Sequence, residues 1–364
     1  MENLRIWRKF DFWLLLVVLL LITYGIAMIY SATQNTEDLQ LLWRTQLIRA
    51  GIGVAVMLLL AAIDYRYYRE IYHLFYLGAV ALLIVVLVAG ELTGGTQRWL
   101  AGGAIQPGEI AKLVIIIVLA QFFARHDGEM EQVKFLALSM LIVALPMVLI
   151  FLEPDLGTSL IIGFIWLVMA LVAGMRLLHV IILGGAAVLA SPIAWLAMKD
   201  YMRQRIILFL NPTGNPDDYY NVQQALISIG SGGWLGKGFG NGTQSQLRFL
   251  RVRHTDFIFS VISEELGMLG AILLILLFIL LLWRILHVAS TTDDTFGRGI
   301  CIGVATVIFV QAAINIGVNL GIMPVTGTPL PFVSYGGSSL VTFLLALGLV
   351  ESVNMHKKQL EFDA

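Results

Sequence analysis

Ten apolar stretches divide the chain, at 12–30, 46–63, 71–89, 108–124, 135–152, 155–174, 177–198, 258–287, 298–322 and 336–353. A helix needs about 20 apolar residues to cross a hydrocarbon core of about 30 Å, and each stretch meets or approaches that length. None alternates apolar and polar residues as a barrel strand does, so the pattern predicts an all-α polytopic membrane protein with ten transmembrane helices. Residues 12–30 run past the short apolar core of a cleaved signal and lead through Tyr30-Ser31-Ala32-Thr33 into more membrane sequence, so they read as the first span. The polar segment 199–255 separates the seventh and eighth spans as one long loop, and 1–364 reads as a single transmembrane domain.

Composition agrees and narrows the function. The chain is 59% hydrophobic and 13% charged, against about 25% charged in soluble domains. Its 23 basic and 24 acidic residues leave a net charge of −1, which removes nucleic acid as a partner. One cysteine, Cys301, excludes a disulfide framework, a redox pair and a cysteine-rich metal site. Basic residues set the orientation. Arg5, Arg8, Lys9, Arg66, Arg69, Arg125, Lys134, Arg176, Arg284, Arg298, Lys357 and Lys358 fall on one side, which becomes cytoplasmic together with both termini. The short loops of the other side carry only Arg44 and Arg98. The 199–255 loop lies outside despite Lys199, Arg203, Arg205, Lys237, Arg248, Arg251 and Arg253, because long loops escape the orientation rule.

Four regions interrupt the apolar pattern. In the first, Arg98 and Trp99 precede Gln106-Pro107-Gly108-Glu109, and Glu109 and Lys112 share a helix face at i,i+3. They either neutralise each other or serve function, since ionisable groups in spans are expensive. In the second, Glu153-Pro154-Asp155, the aspartate suits an ordinary helix cap. The third begins with the glycine-rich run 230–240, where Lys237 is followed by Gly238 rather than Ser or Thr; this fails the phosphate-loop pattern and reads as a flexible turn. It continues to Arg253-His254-Thr255-Asp256 at the head of an apolar helix, with Glu264 and Glu265 two turns on. Asp256 is there either a cap or a carboxylate whose desolvation raises its proton affinity against the neighbouring cations. The fourth, 323–339, holds three prolines and three glycines; such irregular backbone at membrane depth fits the wall of a polar cavity.

Regions one, three and four, and with them the second, converge on the outer face. Cations, a few carboxylates and many glycines there suit an anionic polar headgroup whose apolar tail stays in the bilayer, with arginines gripping phosphate and one aspartate as base. An ion-coupled transporter is the competing class, but it calls for midplane sites and matching broken helices in two halves, and the sequence has no internal repeat.

The runs 98–100 (RWL), 106–113 (QPGEIAKL), 154–160 (PDLGTSL), 230–250 (GSGGWLGKGFGNGTQSQLRFL), 253–259 (RHTDFIF), 264–267 (EELG) and 329–339 (PLPFVSYGGSS) closely resemble the SEDS proteins (shape, elongation, division and sporulation), and 242–250 resembles their elongation, or RodA, branch. The resemblance covers nearly the whole chain. It implies a ten-helix glycosyltransferase that polymerises lipid II into peptidoglycan for cell elongation and shape. Asp256 matches the essential aspartate of that family. Arg98, Glu109, Lys112 and Asp155 match polar positions around its outer cavity, and Lys237, His254, Thr255 and Ser334 lie in its motifs. Two departures stand out: Leu250-Arg251-Val252-Arg253 replaces a Leu-Pro-Glu-Arg pattern, and Gly108 replaces a serine.

The reaction implied is a single inverting displacement. The 4-hydroxyl of an acceptor GlcNAc attacks the MurNAc C1 of a lipid-linked donor, and undecaprenyl pyrophosphate leaves. Asp256 is assigned as general base. Arg98, Lys112, Arg203, Arg205 and Lys237 are the candidates to hold pyrophosphate. The sequence marks no certain cofactor; a divalent cation, Mg or Mn, could assist the pyrophosphate, although no ligand cluster marks a metal site. The implied partners are a class B penicillin-binding protein, which supplies the transpeptidase that this sequence lacks, and other elongation-complex membrane proteins. A lipid II flippase and a non-catalytic cell-wall scaffold are the alternative functions. The expected location is the bacterial cytoplasmic (inner) membrane, multi-pass, with the active site facing out.

Overall fold

In a computed structural model of the chain, the structure describes residues 7–93, 96–100, 103, 105–211 and 216–357. Arg5 and Lys358, two of the cations used for orientation, lie outside the described residues. Helix α1 is Phe12–Thr33, begun by Asp11, whose carboxylate accepts from the Trp13 and Leu14 amides. It is followed by α2 (Leu42–Ala62), α3 (Arg66–Ala89), α4 (Pro107–Arg125), α5 (Val133–Leu152), α6 (Leu156–Val172) and α7 (Leu177–Ala197). Between α3 and α4 lies an antiparallel hairpin of β1 (Glu91–Thr93) and β2 (Thr96–Trp99), short strands that the apolar pattern gave no reason to expect.

The 199–255 segment is not one open loop. It contains α8 (Asp200–Leu210), α9 (Pro216–Gly232) and α10 (Thr243–Gln246). The predicted continuous span 258–287 is likewise two helices, α11 (Ile258–Glu265) and α12 (Gly267–Ser290). The break has a backbone cause. Gly267 takes φ +67°, and a side chain there would begin 2.3 Å from the Gly236 nitrogen, so the glycine loop presses against the chain where the helix turns. Helices α13 (Thr295–Asn319) and α14 (Gly337–His356) complete the fold.

Among the described residues, nine helical segments are long and apolar enough to cross a membrane, and α6, at 17 residues, is a shorter apolar helix. Lipid tails are as apolar as leucine, so burial alone does not hold such helices together; close packing and polar bonds do. Helices α4, α13 and α14 form the buried centre, with α2 packed along α14 and α3 and α6 beside α4. Helix α7 buries none of its side chains and stands on the outside.

Candidate active site

Asp256 lies in the turn that enters α11 and is half-buried. Its backbone carbonyl accepts two hydrogen bonds from α13, from Asn315 Nδ2 at 3.0 Å and Asn319 Nδ2 at 2.8 Å. Asn319 also accepts from the Ser260 amide and hydroxyl, which ties the first turn of α11 to α13. Opposite Asp256 stands Gly327, at φ +76°, in the irregular segment between α13 and α14. A Cβ on Gly327 would lie 3.9 Å from Asp256 Oδ2 and 3.8 Å from Arg205 Nη1, so one glycine separates the carboxylate from the guanidinium. Arg205 comes from α8 and donates to the Val325 carbonyl at 3.2 Å.

An ion pair completes the cluster. Asp155 caps α6 through the Thr158 amide, as the cap reading expected, and also pairs with Arg98 Nη1 at 3.1 Å. Tyr201 on α8 donates its hydroxyl to the Pro154 carbonyl, which brings α8 over this corner. Burial pushes the Asp256 carboxyl above its ordinary range, with Asp155 adding to the shift and Arg205 and Arg98 opposing it. Burial depresses the Arg205 guanidinium, and Arg98 repels it further. Glu153, at the end of α5, is pushed up to about 8 by burial and by Asp155, so it carries a proton at neutral pH.

The structure thus brings Asp256, Arg205, Arg98 and Asp155 together. Ser334 and Thr255 join them through the backbone: Ser334 Oγ donates to the Thr255 carbonyl at 2.5 Å, and the Tyr335 amide donates to the His254 carbonyl at 2.9 Å. His254 is lowered to about 4 by burial and by Arg253, so its ring is neutral at pH 7.

Other expected phosphate holders are engaged elsewhere. Glu109 and Lys112, each 2% exposed, form an ion pair of 2.8 Å inside the bundle. Lys112 also donates to Gln311 Oε1 at 2.6 Å, and Gln311 donates to the Pro329 carbonyl at 2.9 Å. The pair therefore braces the loop of the site from beneath. Arg203 donates to the Trp195 and Leu196 carbonyls and so satisfies the end of α7.

Lys237 is the clearest correction. Its ammonium donates to Glu264 Oε1 at 3.0 Å and to Thr243 Oγ1 at 2.7 Å, closing the glycine loop over a carboxylate that is fully buried. The loop is a clasp rather than a free turn, and the lysine is its pin. Lys237→Met is expected to lower stability by about 1–3 kcal/mol, because Glu264 loses its cation and keeps only neutral donors, the Thr243 hydroxyl and the Gln244 and Ser245 amides, while the folded fraction keeps its turnover. Thermal unfolding combined with a polymerisation assay on the same preparation checks both halves.

Sequence reasoning missed the ladder of Gln311, Asn315 and Asn319, each at most 1% exposed. The signal was present: amides at i, i+4 and i+8 mark one face of an otherwise apolar helix. Among the described residues, no group of three His, Cys, Asp or Glu side chains is arranged to hold a metal ion.

Residues 12–359 match the family described as cell cycle protein, FtsW/RodA/SpoVE. The chain belongs to this SEDS family. It is 38% identical over 353 residues to the peptidoglycan glycosyltransferase MrdB of Escherichia coli K12, covering 95% of this chain and 94% of that relative. Stage V sporulation protein E of Bacillus subtilis is 36% identical over 359 residues, 96% of this chain and 98% of the relative. Among solved structures, the rod shape determining protein RodA of Thermus thermophilus superposes with a TM-score of 0.73 at 30% identity, over 96% of this chain and 98% of that one. A chain from a peptidoglycan synthase complex that coordinates polymerization and crosslinking superposes at 0.82 with 32% identity, over 95% and 97%. The SEDS chain is accordingly a multi-pass membrane protein with the RodA fold.

Proposed function

We propose that this SEDS protein is a peptidoglycan glycosyltransferase that joins lipid II units into glycan strands in the bacterial inner membrane. The observation that carries the reading is the placing of one half-buried carboxylate, Asp256, and one guanidinium, Arg205, on either side of Gly327, with an apolar groove that reaches Met323 beside Arg205. The groove, about 570 Å³, runs between α6, α12 and α13 past Phe164, Leu282, Ile302 and Ile314 to Met323. Met323 also lines a small pocket with Arg205 and Val325. A lipid-linked sugar fits that continuity: the polyprenyl tail lies in the groove and the pyrophosphate reaches Arg205.

In this reading Asp256 takes the proton of the acceptor 4-hydroxyl as the oxygen bonds to donor C1. The C1–oxygen bond to pyrophosphate breaks, and α becomes β. Pyrophosphate leaves as an anion and needs charge stabilisation rather than a proton, which Arg205 and Arg98 supply. The single domain 1–364 then has both termini in the cytoplasm, Asp256 facing out, and a class B penicillin-binding protein as its crosslinking partner.

The test is purified protein with lipid II in detergent, where no gradient or second compartment exists. Polymer formation is expected. Translocation in vesicles without any polymer would assign the chain to a flippase instead, and loss of complex formation alone on changing Asp256 would assign it to a scaffold.

A further inference from the structure

At the opposite end of α1 from the Asp256 cluster, about 33 Å away along its 22 residues, three helix ends surround a cavity of about 340 Å³. The start of α1 contributes Lys9, Asp11, Phe12 and Trp13, the last turns of α12 contribute Arg284 and His287, and the end of α14 contributes Asn354 and Lys357. The volume is about ten times that of a water molecule, enough for a phosphate with its glycerol ester.

The charge around this cavity is unbalanced. Among the described residues Asp11 is its one carboxylate lining residue, and it is saturated: Oδ1 accepts from the Trp13 and Leu14 amides, and Oδ2 takes the Arg284 guanidinium. Glu351 lies below, fully buried and accepting from the Asp11 amide. Neither carboxylate reaches Lys9 or Lys357. Among the described residues the Lys357 ammonium donates to the neutral Thr291 hydroxyl at 2.8 Å and to no carboxylate, and Lys9 makes no ion pair. Burial depresses the Lys357 ammonium, and Lys9 and Arg284 depress it further while Cys301 and Asp11 oppose them. The ends of α12 and α14 present carbonyls that account for part of this positive charge. Two ammoniums facing one cavity exceed what two half-charges neutralise.

We propose that this cavity binds a phosphate group, and that the phosphate is the headgroup of an anionic phospholipid in the leaflet opposite the active site. The membrane as source rests on the rim. Phe12 and Trp13 are each 67% exposed and Trp283 is 57% exposed, so aromatic rings flank the opening at the depth where headgroups meet acyl chains. Two lysines present point charges that accept a phosphodiester without demanding the planar fork of arginine. They also disfavour the ammonium of a zwitterionic lipid.

The experiment is native mass spectrometry of the full-length protein in detergent, titrated with phosphatidylglycerol, with phosphatidylcholine, and with phosphatidylglycerol in the presence of millimolar inorganic phosphate. One phosphatidylglycerol is expected to be retained in preference to phosphatidylcholine. Lys9→Gln/Lys357→Gln is expected to weaken it roughly 25-fold, about five-fold per charge removed. Retention that resists inorganic phosphate identifies a lipid ligand; displacement by it assigns the same cavity to a soluble phosphate. Equal retention of the two lipids by the parent protein, or unchanged affinity in the double variant, would overturn the proposal. If the double variant does not fold, Lys9→Gln alone, at an exposed side chain, is read against the five-fold expectation.

Discussion

Asp256→Asn, purified as the full chain, is expected to fold and to form polymer from lipid II at least 100-fold more slowly, up to about 10⁴-fold, the range a general base supplies. Asparagine keeps the shape and removes the proton acceptor. The electrostatics sharpen the expectation into a pH dependence. Burial raises the Asp256 carboxyl and Arg205 opposes the rise, so the base form is lost on acidification earlier than for an ordinary aspartate. Activity should therefore climb with pH through a pKa above the usual carboxylate range. Arg205→Gln removes the largest opposing charge and should move that limb to higher pH, beyond any loss of pyrophosphate binding. For stability the sign is reversed. A carboxyl whose folded pKa exceeds its unfolded one favours folding at low pH, and that contribution is lost as pH rises through the folded value. The Asn variant should accordingly be no less stable than the parent at neutral pH. Polymerisation rate against pH and thermal unfolding of the same two proteins check both signs. A polymerising Asn variant would remove Asp256 from the chemistry.

Much of the fold was legible because membrane spans obey a single rule, a run of apolar residues of fixed length. What escaped the sequence had physical reasons. The break at Gly267 follows Glu264 and Glu265 inside a stretch long enough to read as one span, and its cause is a backbone approach from Gly236, 31 positions away and invisible to any local pattern. Helices α8 and α9 in the 199–255 segment are short and half polar, so they gave no span signal. In the site, spacing correctly paired Glu109 with Lys112, and proline followed by aspartate gave the α6 cap. Residue type alone, however, offers Arg98, Lys112, Arg203, Arg205 and Lys237 equally to phosphate. Geometry divides them: Arg205 and Arg98 stand at the carboxylates of the site, Lys237 pins a loop, Arg203 ends a helix, and Lys112 lies beneath the floor. That division depends on which acceptor each long side chain reaches in three dimensions.

Lys112→Met is the variant that separates a floor from a phosphate ligand, and it carries the second large effect. Removing the ammonium leaves the Glu109 carboxylate inside the bundle without its cation, which costs about 3–5 kcal/mol, and leaves Gln311 Oε1 without its donor. The expected result is a large fall in thermal stability together with loss of polymerisation. Glu109→Gln/Lys112→Met removes both charges, and a buried pair replaced as a unit is close to neutral for stability. The double variant should therefore recover its melting temperature. If the lysine supports the site through Gln311 and the Pro329 carbonyl, the recovered protein should regain a large part of its turnover, because Gln311 still reaches that carbonyl without the lysine. If Lys112 instead grips pyrophosphate, restoring the fold would leave the rate near that of the single variant and KM for lipid II raised. The 2% exposure of both side chains favours the first outcome. The same logic extends to Asn315, which hangs from the next turn of α13 and holds the Asp256 and Thr328 carbonyls at once, linking the ion pair below to the base above through one helix face.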